Sequence, residues 1–168
     1  PCDLDGVLGV AGGEKSPVLR AIANTAFGQA LQHPEVATRY WRHLEELAHT
    51  VFKPEHFSRT VDRLTGDYLT AAERDRIKAF AARRRAFVLS QAPDSLTVDT
   101  RLAKRNGWHV SDSPEVELTG TANATNTMAV SVDGQAATLA GPMAKWRAKV
   151  SLRPGLNQIL IQSLDDRG

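Results

Sequence analysis

The sequence predicts an α+β chain in two segments, helices first and antiparallel strands after, and three observations carry that expectation. Up to Pro93, apolar residues recur at three- and four-residue steps, the period of a helix with one buried face. After Pro93 they recur at every second residue, the period of a half-buried strand. Turn pairs, Asp133-Gly134 and Pro154-Gly155, separate the later apolar runs.

The helical segment is read in order. In the stretch 16–32, Ser16 stands as N-cap and Pro17 as first helical residue, with Leu19, Ile22, Ala26 and Ala30 on one face. The stretch 33–52 opens with Pro34. It places Val36, Tyr40, Leu44, Leu47 and Val51 on a stripe expected to be core, which Trp41, Ala48 and Phe52 widen. A third helix begins near Pro54, lines up Phe57, Val61, Leu64 and Tyr68, and weakens at Gly66. The fourth begins with Thr70 and Glu73 in capping-box spacing and ends before Pro93.

In the second segment Val116 and Leu118, then Met128, Val130 and Val132, then Trp146, Ala148, Val150 and Leu152 each alternate with polar neighbours. The run 158–164 supplies a further strand. Short strands at such spacing predict a β-sandwich of immunoglobulin or glucodextranase-like type. The expected organisation is a helical part at 1–92, a partly packed linker at 93–113 and the sandwich, incomplete, at 114–168.

Composition bounds the function. With 168 residues, 42% hydrophobic and 24% charged, the chain can build one good core or two small ones and is not a disordered segment. Its apolar runs fall far short of the roughly 18 to 20 residues a spanning helix needs, so no membrane span is expected in this segment. A net charge of +2 gives no reason to expect nucleic acid. Cys2, the single cysteine, cannot form an intrachain disulfide and leaves the redox compartment open. With no initiator Met and an acidic motif at its very start, the chain is read as an internal piece of a longer polypeptide.

That motif is "DLDG". In an extended segment Asp3 and Asp5 point to one side, where two carboxylates suit a divalent cation or a phosphate-transfer centre. The plainer alternative is a solvated Asp-Gly turn. Followed by "VLG" and then by the helices, the motif resembles the acidic segment of the spore-coat protein H (CotH) family of atypical, protein-kinase-like enzymes. The resemblance runs from residue 1 to about 92 and includes "HPEVATRYWRHLEELAHTVFKPEHFSRTVDRL" and the Arg-bearing "AFAARRRAFVLSQ". Cys2 stands where the family usually has Trp, which removes an aromatic wall beside the metal site.

The resemblance implies a helical C-lobe of a kinase-like fold, in which Asp3 binds a magnesium ion bridging ATP phosphates and Asp5 ligates or supports it. It further implies a secreted or cell-surface parent that transfers phosphate from ATP to Ser or Thr hydroxyls of protein substrates. The glycine-rich loop, nucleotide-binding lysine and catalytic base lie upstream in that family, so this piece alone is expected to be inactive. Two alternatives stand beside it. "DLDGVL" also looks like the first motif of haloacid-dehalogenase phosphatases, which need further βαβ units. A non-catalytic surface, adhesion or carbohydrate-contact protein, acting through the sandwich, is the other.

Other conspicuous residues have plain readings. Arg83 to Arg85 read as a solvated helix face, with Arg84 on the apolar stripe and its guanidinium seeking a carboxylate. His33, His43, His49, His56 and His109 lack metal-site spacing. Tyr40, Trp41 and Trp146 read as core, and Asp165 with Asp166 as an acidic turn.

Overall fold

The computed structural model describes residues 13–19 and 24–167. They form a mixed α and β structure of four helices followed by antiparallel sheets. Two compact units divide it: one contains Arg42–Ala92 and the residues up to Gly28, the other Gln29–Trp41 and Pro93–Gly168.

In the first unit, α3 (Pro54–Thr65) and α4 (Ala71–Gln91) form an antiparallel pair around the turn at Gly66. Pro54 sits at the start of α3, where a missing N–H costs nothing. The fourth helix begins as its sequence dictates: Thr70 Oγ1 accepts the Glu73 N–H, and the Glu73 carboxylate accepts the Thr70 N–H at 2.8 Å. Arg74 closes the turn. Its guanidinium donates to the carbonyl of Gly66, which caps α3, to that of Leu69 in the turn that follows, and to Asp62 within α3. Lys78 adds its ammonium to Asp62 at 2.7 Å.

The first helix differs from its expectation. Gly13 to Ser16 form a turn closed by the Ser16 N–H on the Gly13 carbonyl, Val18 and Leu19 are also in turn, and among the described residues of this stretch, which leave out Ile22, the helix α1 covers Ala26–Ala30. The N-cap role falls to Thr25, whose hydroxyl accepts the Gly28 N–H at 3.1 Å.

The second helix, α2, runs Pro34–His49, and the division between units falls within it. Its buried positions are Ala37, Thr38, Trp41 and Ala48, with Leu31 just before it. The expected stripe is therefore displaced: Val36, Tyr40 and Leu44 are half-buried, and Leu47 and Val51 are exposed. Hydrogen bonding accounts for the shift in the first half of the helix. Thr38 Oγ1 donates to the Thr127 carbonyl at 3.0 Å and the Trp41 indole N–H to the Pro142 carbonyl. Both donors face the β-rich unit to which they belong.

That unit contains the hairpin β1 (Ala103–Arg105) and β2 (Trp108–Val110), then β3 (Glu115–Thr121), β4 (Ala129–Val132), β5 (Gln135–Ala136), β6 (Thr138–Ala140), β7 (Lys145–Ser151) and β8 (Ile161–Leu164). The larger strands make two antiparallel sheets of order β3-β7-β6 and β5-β4-β8. Val116, Leu118, Trp146 and Val150 form the buried face of the first, and Val130 and Val132 that of the second. β4 packs on β6 and β7, which brings the two sets together.

Asp133 and Gly134, both at positive φ, make the two-residue turn between β4 and β5 that the sequence announces. Asn106-Gly107 does the same between β1 and β2, inside the stretch read as linker. The last strand is shorter than expected. Asn157 bonds through its amide to the Arg153 backbone on both sides and to the Gly155 carbonyl, so the chain stays in a loop until Ile161.

The Trp146 ring is 2% exposed, and its N–H is shared between the carbonyls of Thr97 and Thr121, each at 3.2 Å. A methyl group at Gly120 would lie 2.0 Å from the Thr97 oxygen, so residues 97–99 can lie along β3 only over a glycine.

Acid sensitivity follows from the α3–α4 turn. The Lys78 ammonium, hydrogen-bonded to Asp62, holds that carboxyl below its ordinary 3.8, and the Thr70 hydroxyl and N–H hold Glu73 below 4.5. Folded values below unfolded ones mean a contribution fully present above about pH 4.5 and lost as pH falls through the lowered values. Helix melting followed by circular dichroism should therefore shift to lower temperature below that pH. Glu73→Gln should blunt the shift, and Thr70→Ala should cost about 1 kcal/mol at neutral pH.

Candidate functional site

Asp3 and Asp5, the carboxylate pair to which the sequence assigns the metal, lie outside the described residues, as does Cys2. The described residues nearest to them in sequence are Gly13 to Ser16, and α4 holds that turn. Arg83 donates to the Glu14 carboxylate. Arg84 donates from one nitrogen to the carbonyls of Glu14, at 3.1 Å, and Ser16, and its guanidinium lies 5.6 Å from the Phe87 ring centre.

Two expectations change here. The three arginines are a solvated face only in part: Arg83 is exposed, but Arg84 and Arg85 are half-buried, and Arg85 reaches the Ala48 carbonyl at 2.6 Å and His49 Nδ1 at 3.3 Å. Among the described residues Arg84 meets no carboxylate; one of its guanidinium nitrogens donates to two backbone carbonyls at a turn instead. Sequence reasoning placed Arg84 on the apolar stripe but could not locate its partners, because they lie 68 and 70 residues away. The signal available was a run of three cations inside a long helix, at positions that include its apolar stripe.

Chemically this is an anchor. Peptide carbonyls carry partial negative charge, and hydrogen bonds from a charged donor to them are stronger than neutral ones. Two such bonds fix the backbone of the turn Gly13–Ser16.

The histidines do not converge. His43 meets Glu46 on an exposed face at 3.3 Å, and among the described residues no three His, Cys, Asp or Glu side chains are placed to hold a metal ion. Asp165 accepts the Arg167 N–H in a turn. No helix among the described residues is long and apolar enough to cross a membrane.

The β-rich unit carries a second candidate surface. An open groove of about 1000 Å³ runs between the β1–β2 hairpin and the 152–161 loop. Trp108, 63% exposed, and His109 line it with Leu102, Leu156, Ile159 and Ile161. Its size suits an extended small ligand or a few sugar rings. Sequence reading left Trp108 in the linker; the Asn106-Gly107 pair beside it was the signal that a hairpin would present it.

Compared with family models, with curated proteins and with solved structures, the chain gives no match.

The anchor has a measurable consequence. Arg84→Ala should expose the Lys15–Ser16 bond to trypsin, with cleavage faster by about tenfold for the roughly 1.5 kcal/mol or more that charged hydrogen bonds supply. Arg83→Gln, which removes only a largely exposed ion pair, should change it far less. An unchanged cleavage rate in Arg84→Ala would mean that the turn holds without the guanidinium.

Proposed function

We propose that residues 1–92 are the helical C-lobe part of a CotH-type, kinase-like phosphotransferase and that the β-rich unit is an immunoglobulin-like accessory sandwich. The observation that carries this reading is the pairing of the "DLDG" motif with a clamp on the backbone that follows it. Arg83 and Arg84 of the Arg-bearing helix, the same helix that carries the family resemblance, grip Glu14 and Ser16. A segment that presents metal-binding carboxylates must be held in place, since phosphoryl transfer rests on positioning and on electrostatic stabilisation.

The donor set fits the metal. Asp3 and Asp5 offer hard carboxylate oxygens two residues apart, the chemistry a magnesium ion prefers when it shares its remaining positions with ATP phosphates and water. When bound, the ion would neutralise phosphate charge. The chain's own part, among the described residues, is the hold of the α4 arginines on Glu14 and Ser16, which follow the motif in sequence. Protein Ser or Thr hydroxyls are the proposed acceptors and an extracellular or cell-surface setting the proposed location, both by the family resemblance.

The phosphatase reading needs parallel βαβ units after the motif. Every strand pair among the described residues is antiparallel, and residues 93–167 contain no helix, which favours the kinase-like reading.

A second reading concerns the β-rich unit alone, and the groove with the exposed Trp108 favours it: a contact module for carbohydrate or a cell surface. The two readings are compatible, one unit for transfer and one for attachment.

The test uses the polypeptide that includes the upstream nucleotide-binding elements implied by the family. Asp3→Ala should abolish magnesium-dependent transfer of phosphate from ATP to protein while thermal unfolding stays nearly unchanged, because the lost group acts on a metal. Asp5→Ala should be less severe. Wild-type turnover in Asp3→Ala would refute the metal role, and a covalent phosphate on Asp3 would assign the chain to phosphatase-like chemistry.

A further inference from the structure

The exposed face of the sheet β3-β7-β6 has a composition that its fold does not require. Lys145, Arg147 and Lys149 point outward from β7 at two-residue steps, about 7 Å apart. No carboxylate among the described residues lies within ion-pair distance of any of them.

Register fixes the neighbours. Arg147 is flanked by Thr119 on β3 and Thr138 on β6, and Asp99 is bridged to Thr119 at the end of the same row. Lys145 is flanked by Thr121, whose hydroxyl meets that of Thr97 at 3.0 Å. A shallow depression of about 640 Å³ opens over this part of the face. Lys149 lies opposite Glu117, so the uncompensated charge is concentrated at Lys145 and Arg147.

We infer that this face binds an anionic polysaccharide. The inference rests on the reading of the β-rich unit as an attachment module and names its ligand class. Lys145 and Arg147 supply the charge complement for carboxylate or sulfate groups, and the guanidinium can grip such a group with two parallel bonds. The threonine hydroxyls and the Asp99 carboxylate offer donors and acceptors to sugar hydroxyls, which a ligand made of phosphates alone would not use.

Nucleic acid fits less well. The outward positions of β3, β6 and β7 are Glu115, Glu117, Thr119, Thr121, Thr138, Ala140, Lys145, Arg147, Lys149 and Ser151, with no aromatic ring on which a base could stack.

The experiment is affinity electrophoresis of the full chain through gels containing polygalacturonate, dextran sulfate or neutral dextran, with a single-stranded oligonucleotide tested by titration. Polygalacturonate and dextran sulfate are expected to retard the chain, less so as salt rises. Lys145→Gln/Arg147→Gln, whose side chains are exposed and whose folding is checked by thermal unfolding, should weaken that binding about tenfold or more. Lys104→Gln, which removes an exposed positive charge of the same unit away from this face, should leave it unchanged.

The inference would be overturned by no retardation by either acidic polymer at low salt, by equal retardation of the double variant, or by tighter binding of the oligonucleotide. Retardation by neutral dextran that depends on Trp108 alone would also overturn it, while leaving the attachment reading of the groove in place.

Discussion

One indole N–H organises the β-rich unit. Trp146 donates to the carbonyls of Thr97 and Thr121 together, and so ties the strand-like lead segment, the long strand β3 and its partner β7 at a single point. The geometry demands that the residue between them be bare, and Gly120 is. Both outer surfaces of the unit depend on this point. On one side the Asp99–Thr119 bridge completes the polar row around Arg147; on the other, Val98 and the residues leading to the hairpin wall the Trp108 groove. A large buried ring that also satisfies its polar atom is an economical way to hold three segments, because none is left with an unpaired buried group.

The helical unit solves a different problem with the same kind of bond. Its turns are closed by arginines that donate to backbone carbonyls: Arg74 at the end of α3, Arg84 at the Gly13–Ser16 turn, Arg85 at Ala48. Carbonyls at turns and helix ends lack intrahelical partners, and a guanidinium supplies several donors from one side chain. Cations that look like solvated surface in the sequence thus work in part as clamps, and the one on Glu14 and Ser16, described residues that follow the acidic motif in sequence, underlies the functional reading.

What was legible in the sequence follows the range of the forces. The capping box at Thr70 and Glu73, the Pro54 start and the Asp133-Gly134 turn are set by neighbours within three or four residues, and each is found in place. Alternation found the buried faces of β3, β4 and β7 because a strand buries one side whatever its partner. The helix expected from Ser16 was not so local. Its start signals are present, yet the chain turns at Gly13–Ser16, where Arg84 takes the Ser16 carbonyl that a helix would have used. The stripe of α2 was displaced for a related reason: periodicity cannot tell Tyr40 from Trp41, and the Pro142 carbonyl that selects Trp41 lies 101 residues away. Of the candidate sites, the acidic pair was legible as a motif, the Trp108 groove as a missed Asn-Gly turn, and the clamp not at all.

Both proposed surfaces of the β-rich unit stand on the close passage of residues 97–99 over Gly120, so the most direct test is Gly120→Ala, measured by urea unfolding. The added methyl has no room 2.0 Å from a backbone oxygen and 2.8 Å from the Trp146 nitrogen, and neither neighbour is a flexible chain end. The account expects a loss of roughly 3 kcal/mol or more, at the upper end of what overpacking costs, with the Trp146 bond broken. A variant within about 0.5 kcal/mol of the parent, the range of an indifferent surface substitution, would contradict it.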